Sequence, residues 1–225
     1  RDFSMSSITW TRDALLADPV SLGTTAWRVV EAQHRVSTMQ LVDPSRNVRV
    51  AAAWGLRGTM AEGSKAGREL LLQLEHNADQ PVGMLQRGAW LLAKGRLPEA
   101  VEAYRKAVDW DPNSAALHHE LAVVLSMAGE HDAALDHLEE AVRLEPRNAE
   151  FHYKLALAWN ERGALDSVVA SLEKAVELEP GHARAWYNLG LARNARNDVS
   201  GAISALSRAE AADRNLLFGL GSRRE

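Results

Sequence analysis

Eight histidines are the side chains of this sequence best suited to chemistry, because imidazole binds metal ions and transfers protons near neutral pH. His119-Glu120 could begin the zinc motif H-E-x-x-H, in which both histidines lie on one helix face. The second ligand position is Val123, however, so the motif is incomplete. We therefore predict that the histidines bind no metal, that His118 is partly buried, and that His137 lies on the outer face or edge of a helix.

Other patterns typical of catalysis or cofactor binding are missing from the sequence. It contains no Gly-x-Ser-x-Gly nucleophile elbow and no Gly-x-x-x-x-Gly-Lys phosphate loop. The lack of cysteine excludes disulfides, thiolate zinc sites and covalently attached c-type haem from this segment. Carboxylates such as Glu173 recur at helix positions that are expected to face solvent. We predict a protein that is not an enzyme and needs no cofactor.

Composition and charge narrow the fold and the partners. Ala and Leu number 37 and 30, whereas Val and Ile together number 19, and this bias favours helices over sheets. A formal net charge of −4 argues against binding to nucleic acid. No apolar stretch approaches the roughly 20 residues that cross a bilayer, so no membrane insertion is predicted. Because residue 1 is arginine, we expect the sequence to begin inside a longer or processed chain.

The elements that position these side chains are indicated by an internal repeat of 34 residues. Proline, glycine, alanine and a large apolar residue all recur with this spacing. The recurring positions are Pro112, Pro146 and Pro180; Gly95, Gly129 and Gly163; Ala107, Ala141, Ala175 and Ala209; and Tyr104, Leu138, Leu172 and Leu206. A fixed period in this range indicates stacked units that bury their apolar faces against one another.

Each repeat has the sequence pattern of two helices. In the second unit, apolar residues at helical spacing occupy residues 117–125 and again residues 134–142. Gly129 lies between them, where the end of a helix needs a residue that tolerates positive φ, and Pro146 stops the second helix. Small residues that let the paired helices approach recur at Gly88, Ala122, Ala156 and Gly190. The units are therefore predicted to be helical hairpins.

This pattern resembles the tetratricopeptide repeat family. The signature positions of the fourth unit hold Trp186, Leu189, Gly190, Ala202, Leu206 and Ala209. The resemblance implies an all-α, right-handed α-solenoid of antiparallel helical hairpins. Its four units would be residues 81–114, 115–148, 149–182 and 183–216. Departures from the family pattern occur at Arg87, Val168, Arg193, Asn197 and Arg214, and they predict local adjustments and an atypical last unit.

The part before residue 81 has a different pattern that resembles HEAT repeats. Asp18-Pro19 and Asp43-Pro44 each precede a stretch with helical character. The predicted segments are HEAT-like helical repeats over 1–60, a bridging segment over 61–80 with a helix at about 65–77, and a C-terminal tail over 217–225.

The tetratricopeptide resemblance also implies where a partner would bind, because the first helix of each hairpin lines a concave groove in that family. Asparagine amides can pair with the donors and acceptors of a peptide backbone, and tyrosines add contact area. The candidate partner-binding residues are His119, Met127, Tyr153, Lys154, Leu157, Asn160, Arg184, Tyr187, Asn188, Leu191 and Asn194. The pairs Tyr153/Tyr187, Leu157/Leu191 and Asn160/Asn194 are each expected to form a row across adjacent units. The predicted function is a non-catalytic scaffold that binds a protein or peptide partner.

Two other functions stay open at this point. HEAT-like stretches followed by tetratricopeptide stretches are similar to the C-terminal part of some large multihaem c-type cytochromes, so the chain could be the repeat scaffold of an electron-transfer protein. Alternatively, the last unit could self-assemble into a homo-oligomer through its C-terminal edge, where Leu216, Leu217, Phe218 and Leu220 lie. The compartment would be the cytoplasm for a complete chain, and the periplasm or the cell exterior for part of a cytochrome.

Overall fold

The computed structural model describes residues 40–221, with the side chains of residues 40–213. This part of the chain contains ten α-helices and no strand, which confirms the all-α fold class. The chain divides into two compact units, one up to His76 and one from Asn77. Among the helices of residues 40–221, none has both the length and the apolar character that crossing a membrane requires. The first HEAT-like stretch, with Asp18-Pro19, lies outside the described residues.

The described part of the first unit consists of two helices that pack against each other, α1 (Arg46–Gly55) and α2 (Lys65–His76). The helix predicted at about 65–77 is α2. It begins after Ser64, whose Oγ accepts a hydrogen bond from the Gly67 backbone N–H at 3.0 Å and so satisfies one of the free donors of the first turn.

Arg49 links the two helices of this unit. Its Nε and Nη2 donate to the two carboxylate oxygens of Glu69 at 2.8 and 2.6 Å, and its Nη1 donates to the carbonyls of Asp43 and Pro44 at 2.6 and 2.7 Å. The hydrogen bonds from Arg49 lower the pKa of the Glu69 carboxyl. One buried guanidinium therefore ties the Asp-Pro turn to both helices.

The second unit is a stack of four helical hairpins. The hairpins are α3 (Pro81–Ala93) with α4 (Leu97–Trp110), α5 (Ala115–Met127) with α6 (His131–Leu144), α7 (Ala149–Glu161) with α8 (Leu165–Leu178), and α9 (Ala183–Ala195) with α10 (Val199–Gly221). Each second helix also packs against the first helix of the next hairpin. The apolar stripes of neighbouring hairpins form the core between them.

Every hairpin turns through a residue with positive φ. Gly95, Gly129 and Gly163 have φ of 73°, 80° and 70°, and Asn197 has 64°. In each turn the next residue donates its N–H back to the first helix, as Asp198 does to the Arg193 carbonyl at 2.9 Å. Asparagine is the usual alternative to glycine in this conformation, so the departure at Asn197 leaves the turn geometry unchanged.

A recurring hydrogen bond joins the start of each later hairpin to the proline before it. His118 Nε2 donates to the Pro112 carbonyl at 3.0 Å. The bonds at the equivalent positions are His152 Nε2 to the Pro146 carbonyl at 2.9 Å and Trp186 Nε1 to the Pro180 carbonyl at 2.9 Å. Imidazole and indole therefore have the same structural role, because each donates one N–H to the carbonyl of the equivalent proline.

The paired helices approach most closely at the small residues. A Cβ added to Gly88 would lie 2.6 Å from the Tyr104 ring, and one added to Gly190 would lie 2.7 Å from Leu206 Cγ. In the two middle hairpins this position is Ala122 or Ala156, and both are buried. Glycine therefore occupies this position opposite Tyr104 and Leu206, whereas the two middle hairpins have alanine there.

The last helix is longer than the repeat predicts. α10 runs to Gly221, so the predicted tail over 217–225 begins inside a helix. Arg214 stands where the earlier units have a proline, and no proline interrupts the chain between Asp198 and Gly221.

Candidate partner-binding surface

The predicted binding residues lie on the first helices α5, α7 and α9, and the repeat arranges them in rows. One row is aliphatic and partly buried, and it consists of Val123, Leu157 and Leu191. The row beside it is polar, and it consists of Ser126, Asn160 and Asn194, of which the two asparagines are exposed. We call these two rows the first-helix surface.

A third row of rings does not present equal surfaces. His119, Tyr153 and Tyr187 occupy equivalent positions, but their exposed fractions are 15%, 7% and 52%. The Tyr153 ring contacts the His182 ring at 4.7 Å between centroids, and its hydroxyl accepts a hydrogen bond from Asn188 Nδ2 at 3.4 Å. The expectation that Tyr153 and Tyr187 form one binding row is therefore wrong, because the fourth hairpin covers Tyr153 whereas Tyr187 stays open. Burial also raises the pKa of the Tyr153 hydroxyl.

His119 lies under the next hairpin in the same way. Its ring stacks on Phe151 at 5.2 Å between centroids, and its Nε2 is buried without a hydrogen-bond partner among the described residues. The Nδ1 of His119 lies 3.7 Å from Glu120, and the interaction with this imidazole lowers the pKa of the Glu120 carboxyl. His119 therefore contributes packing more than contact area.

The remaining predicted residues differ in exposure and charge. Met127 is exposed at the end of α5, and Arg184 is exposed at the start of α9. Lys154 pairs with Glu150 at 3.4 Å, so its charge is already partly balanced within the chain. The other oxygen of Glu150 accepts a hydrogen bond from His182 Nε2 at 3.3 Å.

His182 also caps α9. Its Nδ1 accepts the Ala185 backbone N–H at 3.1 Å, so its proton is on Nε2, which faces Glu150. Ser114 and Asn148 cap α5 and α7 from the equivalent positions through their side-chain oxygens. The helix that carries Tyr187 is therefore anchored by an imidazole that also contacts the preceding hairpin.

A histidine pair that sequence reasoning missed lies between α5 and α6. The Nδ1 atoms of His118 and His137 are 2.9 Å apart, and the His137 ring is half-buried. The two positions are 19 residues apart, so helical spacing alone did not place them together. Only one hydrogen fits between two nitrogens at this distance, so both imidazoles cannot be protonated while the contact lasts.

Lowering the pH from 7.5 to 5.5 is expected to destabilise the protein through this pair. Burial, and then the charge of His118, lowers the pKa of His137 below its ordinary value of 6.5, and Arg105 adds to this, whereas Asp136 and Glu140 oppose it. The unfolded chain then binds a proton at a pH at which the folded chain does not. The free energy of unfolding therefore falls as the pH drops below about 6.5, and this pair contributes no pH dependence well above it.

Denaturation midpoints in urea at the two pH values measure this effect. The variant His137→Gln should lose less stability on acidification than the wild type. The variant His152→Gln is the matched control, because the described contact of that imidazole is with a carbonyl, and it should keep the wild-type pH dependence. An identical pH dependence in wild type and His137→Gln would contradict the assignment.

No three histidine, aspartate or glutamate side chains between residues 40 and 213 converge as metal ligands. The pair of His118 and His137 lacks a third ligand, and its nitrogens face each other across a hydrogen bond.

Comparison with known proteins identifies the family of the repeats. Residues 91–158 and residues 169–216 each match a family model described as tetratricopeptide repeat. No curated protein sequence matches this chain. The resemblances of the N-terminal part to HEAT repeats and of the whole to multihaem cytochromes stay predictions.

Solved structures with a similar fold include two of MamA and one of YrrB. One MamA crystal structure is 26% identical in sequence and has a TM-score of 0.61, and the match covers 68% of this chain and 89% of the MamA chain. MamA from Desulfovibrio magneticus RS-1 is 23% identical, with a TM-score of 0.60, and covers 82% of this chain and 95% of its own. YrrB is described as a TPR protein with an unusual peptide-binding site. Its structure is 21% identical in sequence and has a TM-score of 0.57, and the match covers 84% of this chain and 98% of the YrrB chain.

Proposed function

Because the chain belongs to the tetratricopeptide repeat family across residues 91–158 and 169–216, and these repeats are protein-interaction scaffolds, we propose that it binds an extended peptide segment of a partner protein. The binding site is the first-helix surface of α5, α7 and α9. The protein acts there as a non-catalytic scaffold, and the bound segment crosses the three hairpins in turn.

The observation that supports this proposal is the pairing of an aliphatic row with an amide row. Val123, Leu157 and Leu191 are partly buried and can take apolar side chains, which alternate with exposed ones along an extended peptide. Asn160 and Asn194 are exposed beside them, and each amide can both donate to and accept from a peptide backbone. The two rows thus supply the two kinds of contact that an extended chain needs.

Aromatic and charged side chains at the α9 end of the first-helix surface supply further contacts for a bound peptide. Tyr187 is half exposed beside Leu191, and Arg184 is exposed one residue into the same helix. Tyrosine adds contact area at a small entropic cost, and arginine favours a carboxylate on the bound segment. The fold similarity to YrrB, which is described as having a peptide-binding site, is consistent with this use of the scaffold.

Selection from a displayed peptide library, followed by affinity measurement, tests the proposal. The wild-type protein should enrich peptides that bind with micromolar affinity. The triple variant Asn160→Ala, Tyr187→Ala and Asn194→Ala should bind the same peptides at least tenfold more weakly, which is about 1.4 kcal/mol. Tyr153 is left intact, because its removal would open a buried contact with the next hairpin.

Two measurements make the result interpretable. Circular dichroism should show equal helicity and equal melting temperature for wild type and triple variant, because the three side chains are exposed. The exposed substitution Ser207→Ala on α10 serves as the control and should leave peptide affinity unchanged. If the selected peptides bind the triple variant as tightly as the wild type, the first-helix surface is not the binding site.

A second function, self-association through the last hairpin, is favoured by the exposed apolar face of α10. Ile203 is 62% exposed, whereas its counterpart Val169 in the preceding hairpin is 5% exposed. Val199 and Leu206 continue the same helical stripe and are also exposed. Each earlier second helix is covered there by the next hairpin, and we propose that a second copy of the chain covers α10. The side chains of the predicted edge at Leu216 and beyond lie outside the described part.

Sedimentation over a range of protein concentrations measures this association. The wild type should gain mass as its concentration rises, because burial of the stripe removes apolar surface from water. The variant Ile203→Glu should stay monomeric at the highest concentration and keep its helicity. A wild type that stays monomeric throughout, or a variant that associates equally, would contradict this second function.

A further inference from the structure

A cleft of about 400 Å³ opens between α8, α9 and α10, and it is separate from the first-helix surface. Its floor is apolar and consists of Val176, Trp186 and Leu189, which are all buried. Its rim is polar, with the carboxylates of Glu173 and Glu177 on α8 and the guanidiniums of Arg193 and Arg208 on the last hairpin. This volume falls within the usual range for pockets that hold small ligands or side chains.

The cleft exists because Arg193 departs from the repeat. The equivalent positions in the three earlier hairpins are Leu91, Leu125 and Trp159, which are large and apolar. Leu91 and Leu125 are buried in the core, and Trp159 packs against the core of the third and fourth hairpins. Arg193 instead points to the rim, where its Nη2 donates to Glu173 at 2.7 Å, so no side chain of residues 40–213 fills the space.

The preceding hairpin shows what this space accommodates. There the equivalent position carries the indole of Trp159, which packs against the core between the third and fourth hairpins. The counterparts of the floor residues in that hairpin are Val142, His152 and Leu155. The open cleft therefore lies at the repeat position where the third hairpin holds an indole, and its floor has Trp186 where that hairpin has His152.

The polar rim favours an uncharged aromatic group. Two carboxylates and two guanidiniums leave the rim without net charge, so neither an anion nor a cation is preferred overall. The Arg208 guanidinium lies 4.7 Å from the centroid of the Trp186 ring, which places a planar cation where it can also stack on an inserted ring. The Trp186 N–H is already bonded to the Pro180 carbonyl, so the floor offers an apolar surface.

We propose that this cleft binds an aromatic side chain, indole in size, that a partner polypeptide inserts in place of the missing counterpart of Trp159. The inserted ring packs on Val176, Leu189 and the edge of the Trp186 indole, and it lies beside the Arg208 guanidinium. Because the cleft and the first-helix surface lie on different faces of α9, the protein can hold a partner at both.

Nuclear magnetic resonance of methyl-labelled protein tests the proposal with defined probes. The capped peptide Gly-Trp-Gly should shift the methyl signals of Val176 and Leu189 saturably, with a dissociation constant on the order of 1 mM for so small a ligand. The capped peptide Gly-Ala-Gly should not shift them. Free indole is the third probe, and if it saturates the cleft while the tryptophan peptide does not bind, the occupant is a small molecule and the proposal is overturned.

Substitutions at Arg193 decide whether the cleft is the site. Arg193→Trp restores the large side chain of the preceding hairpin, and it should weaken binding of the tryptophan peptide at least tenfold. Arg193→Leu, which copies Leu91 and Leu125, serves if the first variant does not fold. Arg193→Lys keeps the cleft open and should retain binding within about threefold.

Two further results would overturn the proposal, namely equal shifts with both peptides or undiminished binding to the two filled variants. The double variant Asn160→Ala and Asn194→Ala should bind the tryptophan peptide as the wild type does. This variant alters the first-helix surface and leaves the cleft intact, so its result shows whether loss of tryptophan-peptide binding comes from the cleft or from the first-helix surface.

Discussion

Replacing Leu172 by alanine is expected to lower the free energy of unfolding by about 2–5 kcal/mol, the usual range for a buried leucine. Leu172 is 1% exposed and belongs to the core between the third and fourth hairpins. Truncation removes apolar contacts with both the third and the fourth hairpin, and it leaves a cavity that the helices cannot close without moving. Because stability in repeat proteins depends on the interfaces between neighbours, the loss should uncouple the last hairpin from the rest. Urea denaturation followed by circular dichroism measures it.

Leu206 provides the matched control, since it occupies the same repeat position one hairpin later. It is 37% exposed, so Leu206→Ala should cost about 1 kcal/mol or less. Both variants should be measured at low micromolar concentration, so that self-association through α10 does not add to the effect of Leu206. Equal losses for the two leucines would mean that the fourth hairpin does not cover the third as the structure shows.

Gly88→Ala is expected to destabilise the protein by about 1–2 kcal/mol, although alanine is normally the better helix former by about 1 kcal/mol. The new Cβ would lie 2.6 Å from the Tyr104 ring, which is buried and cannot move away. Gly190→Ala is the control with the same chemistry. There the closest atoms belong to Leu206, whose partly exposed side chain can shift, and the Ala202 carbonyl oxygen lies at 3.3 Å, so the change should cost clearly less than at Gly88. Thermal denaturation of both variants gives the comparison.

A second substitution tests the cause of the loss at Gly88. Tyr104→Leu combined with Gly88→Ala recreates the pair that the second hairpin already has in Ala122 and Leu138. The double variant should recover at least 1 kcal/mol relative to the sum of the single effects, because the two positions contact each other. Additive effects would show that overpacking against the ring is not the cause.

The 34-residue period predicted the fold because its cues are local. The turn residues, the prolines and the apolar spacing of each helix all act within one hairpin, so a series of helical hairpins follows from the sequence. The same logic predicted a turn at Asn197, where φ is 64°. The end of α10 was harder to predict, because no residue between Asp198 and Gly221 forces the helix to stop.

The binding surface was only partly predictable, because periodicity treats equivalent residues as equal. Tyr153 and Tyr187 have the same repeat position, and their difference comes from the presence or absence of a covering hairpin. The contact between His118 and His137 depends on how two helices of one hairpin face each other, which helical spacing leaves open. Arg193 departs visibly from the repeat pattern. The cleft beside it could not be predicted from the sequence, because it depends on which side chains surround Arg193 in the folded chain.

The hydrogen bonds from His118, His152 and Trp186 to prolines six residues earlier have a consequence for how the chain folds. Such contacts close very short loops, and each helix of the second unit packs chiefly on its neighbours in sequence. The mean sequence separation of contacts is therefore low, which favours rapid folding that can begin in any hairpin and spread to the next. Amide hydrogen exchange should accordingly be slowest in the middle hairpins and fastest in α10, whose outer face is exposed.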